Sequence, residues 1–300
     1  MQPTELRRCL QGVVSFPVTP FKRDLSLDLE GLRKNLRSLL QHPVCAVVAP
    51  AGTGELYSLS PDEHLQVVKT AVAEVAGKVP VLAGTGFNPP IAAELARWAA
   101  DAGTSGILAF PPYYPGPDDE GLYAYYEGIA AATSLGMLIY TRDWFNPGPA
   151  FAERLAGIPS LIGWKDGQAD LRRYQMIRDR LRDRFHWIGG AGDDMVPGYY
   201  SIGIRTYTSS IANVAPRLSL RLHELASAGA ADELTQLMNE LVIPLYALRA
   251  RRKGYEVSAM KAMMDLIGLA GGPVRPPLVD LRPDEKESLS RMLDKWKPWL

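Results

Sequence analysis

The sequence predicts a (β/α)8 barrel, an α/β TIM-barrel fold, with a C-terminal helical extension. Three observations predict it. Eight short apolar runs alternate with longer Ala- and Leu-rich segments from residue 12 to about residue 230. Each run is bounded by glycine, proline or a polar turn. After residue 228 the β-like runs stop and only helical patterns remain. Regular alternation of this kind favours a parallel barrel, with an open doubly wound sheet as the alternative it also allows. A length of 300 residues suits a barrel of about 250 with an addition. The expected division is 1–228 for the barrel and 229–300 for the helical region.

The runs are Gly12–Thr19, Val44–Ala49, Val79–Gly84, Ser105–Phe110, Gly136–Thr141, Ser160–Lys165, His186–Gly190 and Gly203–Ser209. Each is short and nearly continuously apolar, the pattern of a strand buried on both faces. Between them, Asp28–Gln41, Pro61–Ala76, Pro89–Ala102 and Glu120–Ser134 repeat apolar residues at three- and four-residue spacing, as amphipathic helices do. Ser60 before Pro61, and Asn88 before Pro89, join a capping side chain to a proline at the first helical position. Asp232–Arg252, Glu256–Leu269 and Pro283–Leu293 read as the helices of the extension.

Lys plus Arg and Asp plus Glu are equal at 33 each. That balance offers no electrostatic reason to expect nucleic acid or an anionic membrane as partner. Two cysteines, Cys9 and Cys45, are too few for a disulfide framework and suit a reducing compartment. The opening MQPTELRRCLQG holds no apolar run long enough for a signal peptide, and no stretch reaches the roughly 18–20 apolar residues of a membrane span. A cytoplasmic protein is expected. His42, His64, His186 and His223 form no i, i+4 pair, so no metal site is expected. There is no G-x-G-x-x-G fingerprint, no Walker lysine and no G-x-S-x-G elbow.

In such barrels chemistry gathers where strands end and loops begin. Lys165 closes the apolar run Leu161-Ile162-Gly163-Trp164, so its stem emerges among buried neighbours. Desolvation disfavours an ammonium and frees a nucleophilic amine; the plainer reading is a strand-end lysine that snorkels to solvent. Tyr140 closes the preceding strand, either as a proton-relaying phenol or as a packing aromatic. Gly52-Thr53-Gly54-Glu55 offers main-chain N–H groups and one hydroxyl suited to a carboxylate, although glycine turns end many strands. Gly189-Gly190-Ala191-Gly192 is a second glycine turn of the same ambiguity. Asp193-Asp194 reads as a helix start or, less plainly, a cation site. The run Arg249-Ala250-Arg251-Arg252-Lys253 reads as a solvated helix end.

Taken in order, these pieces resemble the dihydrodipicolinate synthase / N-acetylneuraminate lyase superfamily of class I aldolases and dehydratases. The resemblance rests on Phe16-Pro17-Val18-Thr19-Pro20-Phe21, Gly52-Thr53-Gly54-Glu55, Pro112-Tyr113-Tyr114-Pro115, Tyr140, Gly163-Trp164-Lys165-Asp166-Gly167 and the region of Asn213. Among its subgroups, the 5-dehydro-4-deoxyglucarate dehydratases are the most similar. Most synthases have a second threonine where this chain has Gly52, and a carboxylate-binding arginine where it has Phe145. The chain departs from the dehydratase pattern at Thr141, Trp144 and Gln168-Ala169.

The resemblance implies that Lys165 is a Schiff-base lysine and Tyr140 its proton relay. It implies that Thr53 hydrogen-bonds the carboxylate beside the keto group and orients Tyr140. Tyr114 would reach into a neighbouring subunit, so a homo-oligomer, dimer or tetramer, is expected. The implied substrate is a six-carbon keto diacid that loses water and CO2 to give 2,5-dioxopentanoate, with no metal or organic cofactor. Arg142 would pair with the distal carboxylate, and Thr208 and Ser209 would bind substrate oxygens. Three rivals stand beside it: a pyruvate-dependent class I aldolase or another 2-keto-3-deoxy sugar acid dehydratase of the same superfamily, and, more remotely, a non-catalytic barrel that binds keto acids.

Overall fold

The computed structural model describes residues 1–300. Eight parallel strands close into a barrel in chain order, with the last pairing the first: β1 Gly12–Ser15, β2 Ala46–Val48, β3 Val81–Phe87, β4 Gly106–Pro112, β5 Gly136–Thr141, β6 Leu161–Asp166, β7 His186–Gly189 and β8 Thr206–Ser209. Every expected run overlaps a strand, although β3, β4 and β6 run past the expected ends. The first is the most shortened, because Pro17 and Pro20 have no N–H to give to a ladder. Helices cover the outside, and those at Pro61–Val75 and Pro89–Asp101 begin as the sequence predicts. Ser60 and Glu63 form a reciprocal capping box, and the Asn88 side chain accepts from the Ile91 N–H.

Two apolar layers result. Val14, Val48, Leu82, Leu108, Leu138, Ile162 and Ile188 fill the barrel interior. Val13, Ile107, Met137, Ile139, Trp164 and Tyr207 face the helices in a larger cluster. A short helix, Pro3–Cys9, closes the barrel floor with fully buried Leu6 and Leu10. Nothing in the helical periodicity marks it, since it spans only two turns. Its seat depends on Gly106 and Gly136, where a Cβ would strike the Leu6 side chain or, at Gly136, come within 3.2 Å of the Pro3 backbone.

One irregularity governs the site. On β5, Leu138 and Tyr140 face inward and Met137 and Ile139 outward, in regular alternation. On β6, Leu161 pairs Met137 but Gly163 pairs Leu138, so one residue is bulged. Ile162 points inward, Gly163 lies against Leu138 with no room for a Cβ, and Trp164 then points outward. The bulge changes the parity of the rest of the strand, which sends Lys165 into the barrel.

Helices beyond Ala228 pack into the same apolar cluster as the barrel's outer layer, through Leu234, Leu245, Met260, Leu289 and Trp296. The first runs Ala231–Leu237, passes through a π-turn at Met238–Val242 and continues over Ile243–Arg249. Tyr255–Leu266 and Pro283–Trp296 complete the extension. No helix is long and apolar enough to cross a membrane.

Candidate active site

The C-terminal ends of the strands open into a cavity of about 440 Å3. Lys165 reaches it from β6 and is only 3% exposed. Its Nζ donates to the Gly190 carbonyl at 2.8 Å and lies 3.2 Å from the Tyr140 ring centroid, with the Phe16 ring at 5.2 Å. Burial pushes the amine well below the ordinary lysine range, and the nearby Arg142 guanidinium pushes the same way. The charged form of the amine is therefore disfavoured where solvent does not compete for it. Lys165 is thus buried and does not snorkel to solvent.

Tyr140 sits opposite Lys165 in the β5–β6 register. Burial raises its phenol, which stays protonated and able to donate. Gly167 fixes the ring, since a Cβ there would come within 2.5 Å of the Tyr140 Cε2. Gly190 plays the equivalent part for the lysine: a Cβ would lie 2.7 Å from Nζ and 2.6 Å from the Asp166 carbonyl. The second glycine turn is thus a steric seat for Lys165 and not a phosphate cradle. Gly190→Ala is expected to reduce the rate of borohydride-trapped adduct formation by about 100-fold, the usual cost of a misplaced reacting group. Trapping at the unmodified rate would refute that seat.

Gly52 and Thr53 line the cavity, and their main-chain N–H groups make no hydrogen bond within the protein. The Thr53 hydroxyl is likewise unpartnered, and makes no bond to Tyr140. Gly54 does not reach the cavity: it is buried beneath the loop, where its carbonyl accepts from Thr19 at 2.7 Å. Thr208 faces the cavity with its hydroxyl unengaged. Ser209 also lines it, but its hydroxyl is spent on Asp193, Ser219 and the Ala212 N–H. Its expected part in binding substrate oxygens therefore gives way to a positioning one.

Arg142 lines the cavity and ion-pairs with Asp143, Nε to Oδ2, at 2.6 Å. Its guanidinium lies 5.5 Å from the Tyr140 centroid, and its Nη1 is 3.4 Å from where a Cβ would stand on Gly52. A Cβ at 52 would make only ordinary contact with Arg142, which packs alongside the Gly52 loop. Arg142 sits beside the free amides of the Gly52 loop and near enough to Lys165 to act on its charge. Phe145 is buried against Tyr126 and Trp144 and takes no part. Tyr114 is 71% exposed on the loop after β4, outside the cavity, next to the 88% exposed Tyr113.

Sequence reasoning missed the far wall. Tyr246, Arg249, Lys253 and Glu256, all from the helical extension, line the cavity, and Tyr57 lines it from the Gly52 loop side. The run from 249 to 253 is a solvated helix end over its exposed residues 250–253, but Arg249, the last residue of the helix, is buried. Lys253 lies in the turn after the helix that ends at Arg249, so its spacing from Arg249 marks no helix face, and no local pattern tells which residues meet the barrel. Asp193 is also more than a helix start. Its carboxylate accepts from Ser209 and from the Ser210 and Ile211 N–H groups, fixing the loop after β8. His64 and His186 are spent on the Gly84 carbonyl and the Thr206 hydroxyl, and no cluster of metal-ligating side chains converges anywhere.

Residues 9–296 match the model of the dihydrodipicolinate synthetase family. The chain is 39% identical over 299 residues to a probable 5-dehydro-4-deoxyglucarate dehydratase of Bradyrhizobium diazoefficiens, covering 98% of this chain and 95% of that one. It is 40% identical over 285 residues to a protein of the same description from Ralstonia nicotianae, covering 94% and 92%. Among solved structures, dihydrodipicolinate synthase from Oceanobacillus iheyensis superposes with a TM-score of 0.93 at 27% identity, over 99% of this chain and 100% of that one. The chloride-inhibited synthase from Acinetobacter baumannii, complexed with pyruvate, superposes with a TM-score of 0.87 at 29% identity, over 95% and 98%.

Proposed function

The chain belongs to the dihydrodipicolinate synthetase family, and from that premise we propose that it is a decarboxylating dehydratase acting on 5-dehydro-4-deoxyglucarate through a Schiff base on Lys165. The observation that carries the reading is the Lys165 amine, desolvated and stacked over the Tyr140 ring at the mouth of the barrel. The relatives in Bradyrhizobium and Ralstonia support the substrate.

Neutral Lys165 adds to the ketone, and Tyr140 gives and takes the protons that turn the carbinolamine into an iminium and water. The iminium acidifies the neighbouring CH2. Its deprotonation gives an enamine that expels the β-hydroxyl as water, leaving a conjugated iminium. That iminium takes up the electron pair of the bond to the far carboxylate, which departs as CO2. Protonation and hydrolysis release 2,5-dioxopentanoate and the free amine. No oxidant or reductant enters, since one electron sink serves both eliminations. The free amides of Gly52 and Thr53, the Thr53 hydroxyl and Arg142 hold the carboxylate beside the keto group, and Thr208 meets a substrate hydroxyl.

The reading is tested by supplying the deoxy-keto diacid and following CO2 and aldehyde release, with borohydride trapping in parallel. Pyruvate plus an aldehyde as products would favour an aldolase, and the absence of any adduct would remove both enzymes. Tyr140→Phe should keep the adduct but lower kcat by about 10^2- to 10^4-fold, the range for losing a proton donor; an unchanged kcat would take the relay away from Tyr140. The exposed Tyr113 and Tyr114 suit burial against a second copy of the chain, and a homo-oligomer in the cytoplasm is part of this reading.

A further inference from the structure

We propose that Arg249, on the helical extension and assisted by Lys253, binds the carboxylate distal to the keto group. The proposal deepens the Schiff-base reading and rests on it.

Arg249 is only 6% exposed, yet no carboxylate pairs with it. Its guanidinium makes one side-chain hydrogen bond, Nη2 to the Ser210 hydroxyl at 3.1 Å, and its Nε is buried with no partner. It stacks over Tyr246, 4.8 Å from the ring centroid. Asp193 and Asp194 are near enough to feel its charge. Asp193, however, is occupied by Ser209, Ser210 and Ile211, and Asp194 forms no pair with it. A buried, unpaired charge is costly unless something arrives to neutralise it. Arg249 lines the cavity that holds Lys165, so the substrate is what arrives.

The surroundings fit an anion with two poles. At the Lys165 end, Arg142 and the free amides of the Gly52 loop serve one carboxylate, which leaves the second without a cation from the barrel. Lys253 lies on the exposed rim, unpaired, in the same cavity wall. The π-turn at Met238–Val242 immediately precedes this helix segment. One extra residue in a turn rotates the next stretch of helix by about 100°, and this sets which face, that of Tyr246 and Arg249, meets the cavity. Tyr246 is locked by donation of the Asp193 N–H to its oxygen at 2.7 Å.

The test compares two probes of equal carbon number by borohydride trapping: 2-oxoadipate, which carries a distal carboxylate, and 2-oxohexanoate, which lacks it. Wild type should half-saturate with the diacid at a concentration at least about tenfold lower than with the monoacid. Arg249→Met should weaken the diacid by about 10- to 100-fold, the loss of a charge-assisted hydrogen bond, and leave the monoacid within about twofold. Retained trapping of the monoacid shows that the variant is folded. If Arg249→Met traps neither acid, Arg249→Lys decides, with the diacid alone expected to weaken by at least about threefold because the planar fork is lost. A wild type that prefers neither acid, or a trapping variant whose preference equals that of wild type, overturns the assignment to Arg249. A wild type that traps no keto acid overturns the Schiff-base reading, and the role of Arg249 falls with it.

Discussion

Lys165→Met is expected to abolish the trapped adduct, to lower turnover by at least about 10^4-fold, and at the same time to raise the melting temperature. The loss of activity stems from the cavity's composition. The other lysine that lines it, Lys253, lies on the exposed rim, and no second amine is held against the Tyr140 ring. The gain in stability comes from the same burial that makes the amine reactive. The amine's pKa is lowered in the folded state, so the unfolded chain binds more protons over the interval from that lowered value up to the ordinary lysine value of 10.5. Stability contributed by this position therefore rises with pH across that interval. Methionine binds no proton in either state, so the advantage of Lys165→Met should be greatest at low pH and fade as pH approaches 10.5. Melting curves across pH, beside intact-mass trapping, check both halves. A surviving adduct in the variant would move the chemistry to another amine, and a variant that melts lower at every pH would contradict the desolvated state of Lys165.

Glu55→Gln should cost about 3–5 kcal/mol of unfolding free energy, the penalty for stranding a buried charge. Glu55 comes after the Gly52-Thr53-Gly54 turn in a left-handed conformation, φ 53°, and is fully buried. Its Oε1 meets the Lys261 Nζ at 2.5 Å, and Lys261 is 1% exposed. Burial lowers the lysine's pKa, while Glu55 and its hydrogen bond oppose that shift. The other carboxylate oxygen accepts from the Arg275 N–H at 3.0 Å. Arg275 itself grips Glu63 and the Leu25 and Ser58 carbonyls. Gly272, at φ 69°, lets this segment pass the Phe21 carbonyl, which a Cβ would strike. The pair thus ties the loop that presents Gly52 and Thr53 to Tyr255–Leu266, the helix after the one that carries Arg249. Urea unfolding of Glu55→Gln, Lys261→Met and the double variant measures it: the double should cost less than the sum of the singles. A loss below about 1 kcal/mol in Glu55→Gln would mean that the pair carries little.

The eight strands and the first four helices between them were legible, because the strands are short bounded apolar runs and the helices carry a period of about 3.6 residues, with capping residues at Ser60 and Asn88. Pro149–Leu155, Val196–Ser201 and Pro216–Ala228, which lack a side-chain cap, were not singled out. The Pro3–Cys9 helix was not legible, since two turns hold too few residues to display a period. The bulge in β6 was also hidden: Leu161-Ile162-Gly163-Trp164 is uniformly apolar, and a strand buried on both faces gives no alternation from which parity is read. Ser209 and Thr208 are both small hydroxyl residues at the end of one strand. Only the position of Asp193, sixteen residues before Ser209 in the chain, makes one hydroxyl occupied and leaves the other free.

By itself the sequence determined that eight βα units precede a helical tail, and that an amine and a phenol close adjacent strands. Those properties are local, written in periodicities and strand ends within a few residues. Tertiary structure decided that Lys165 rather than Trp164 faces the cavity, that Arg142 stands by the Gly52 loop, and that Arg249 completes the far wall. Each of those depends on register or on contact between segments remote in the chain, and a one-residue shift in pairing or in helix phase reverses it without altering any local pattern.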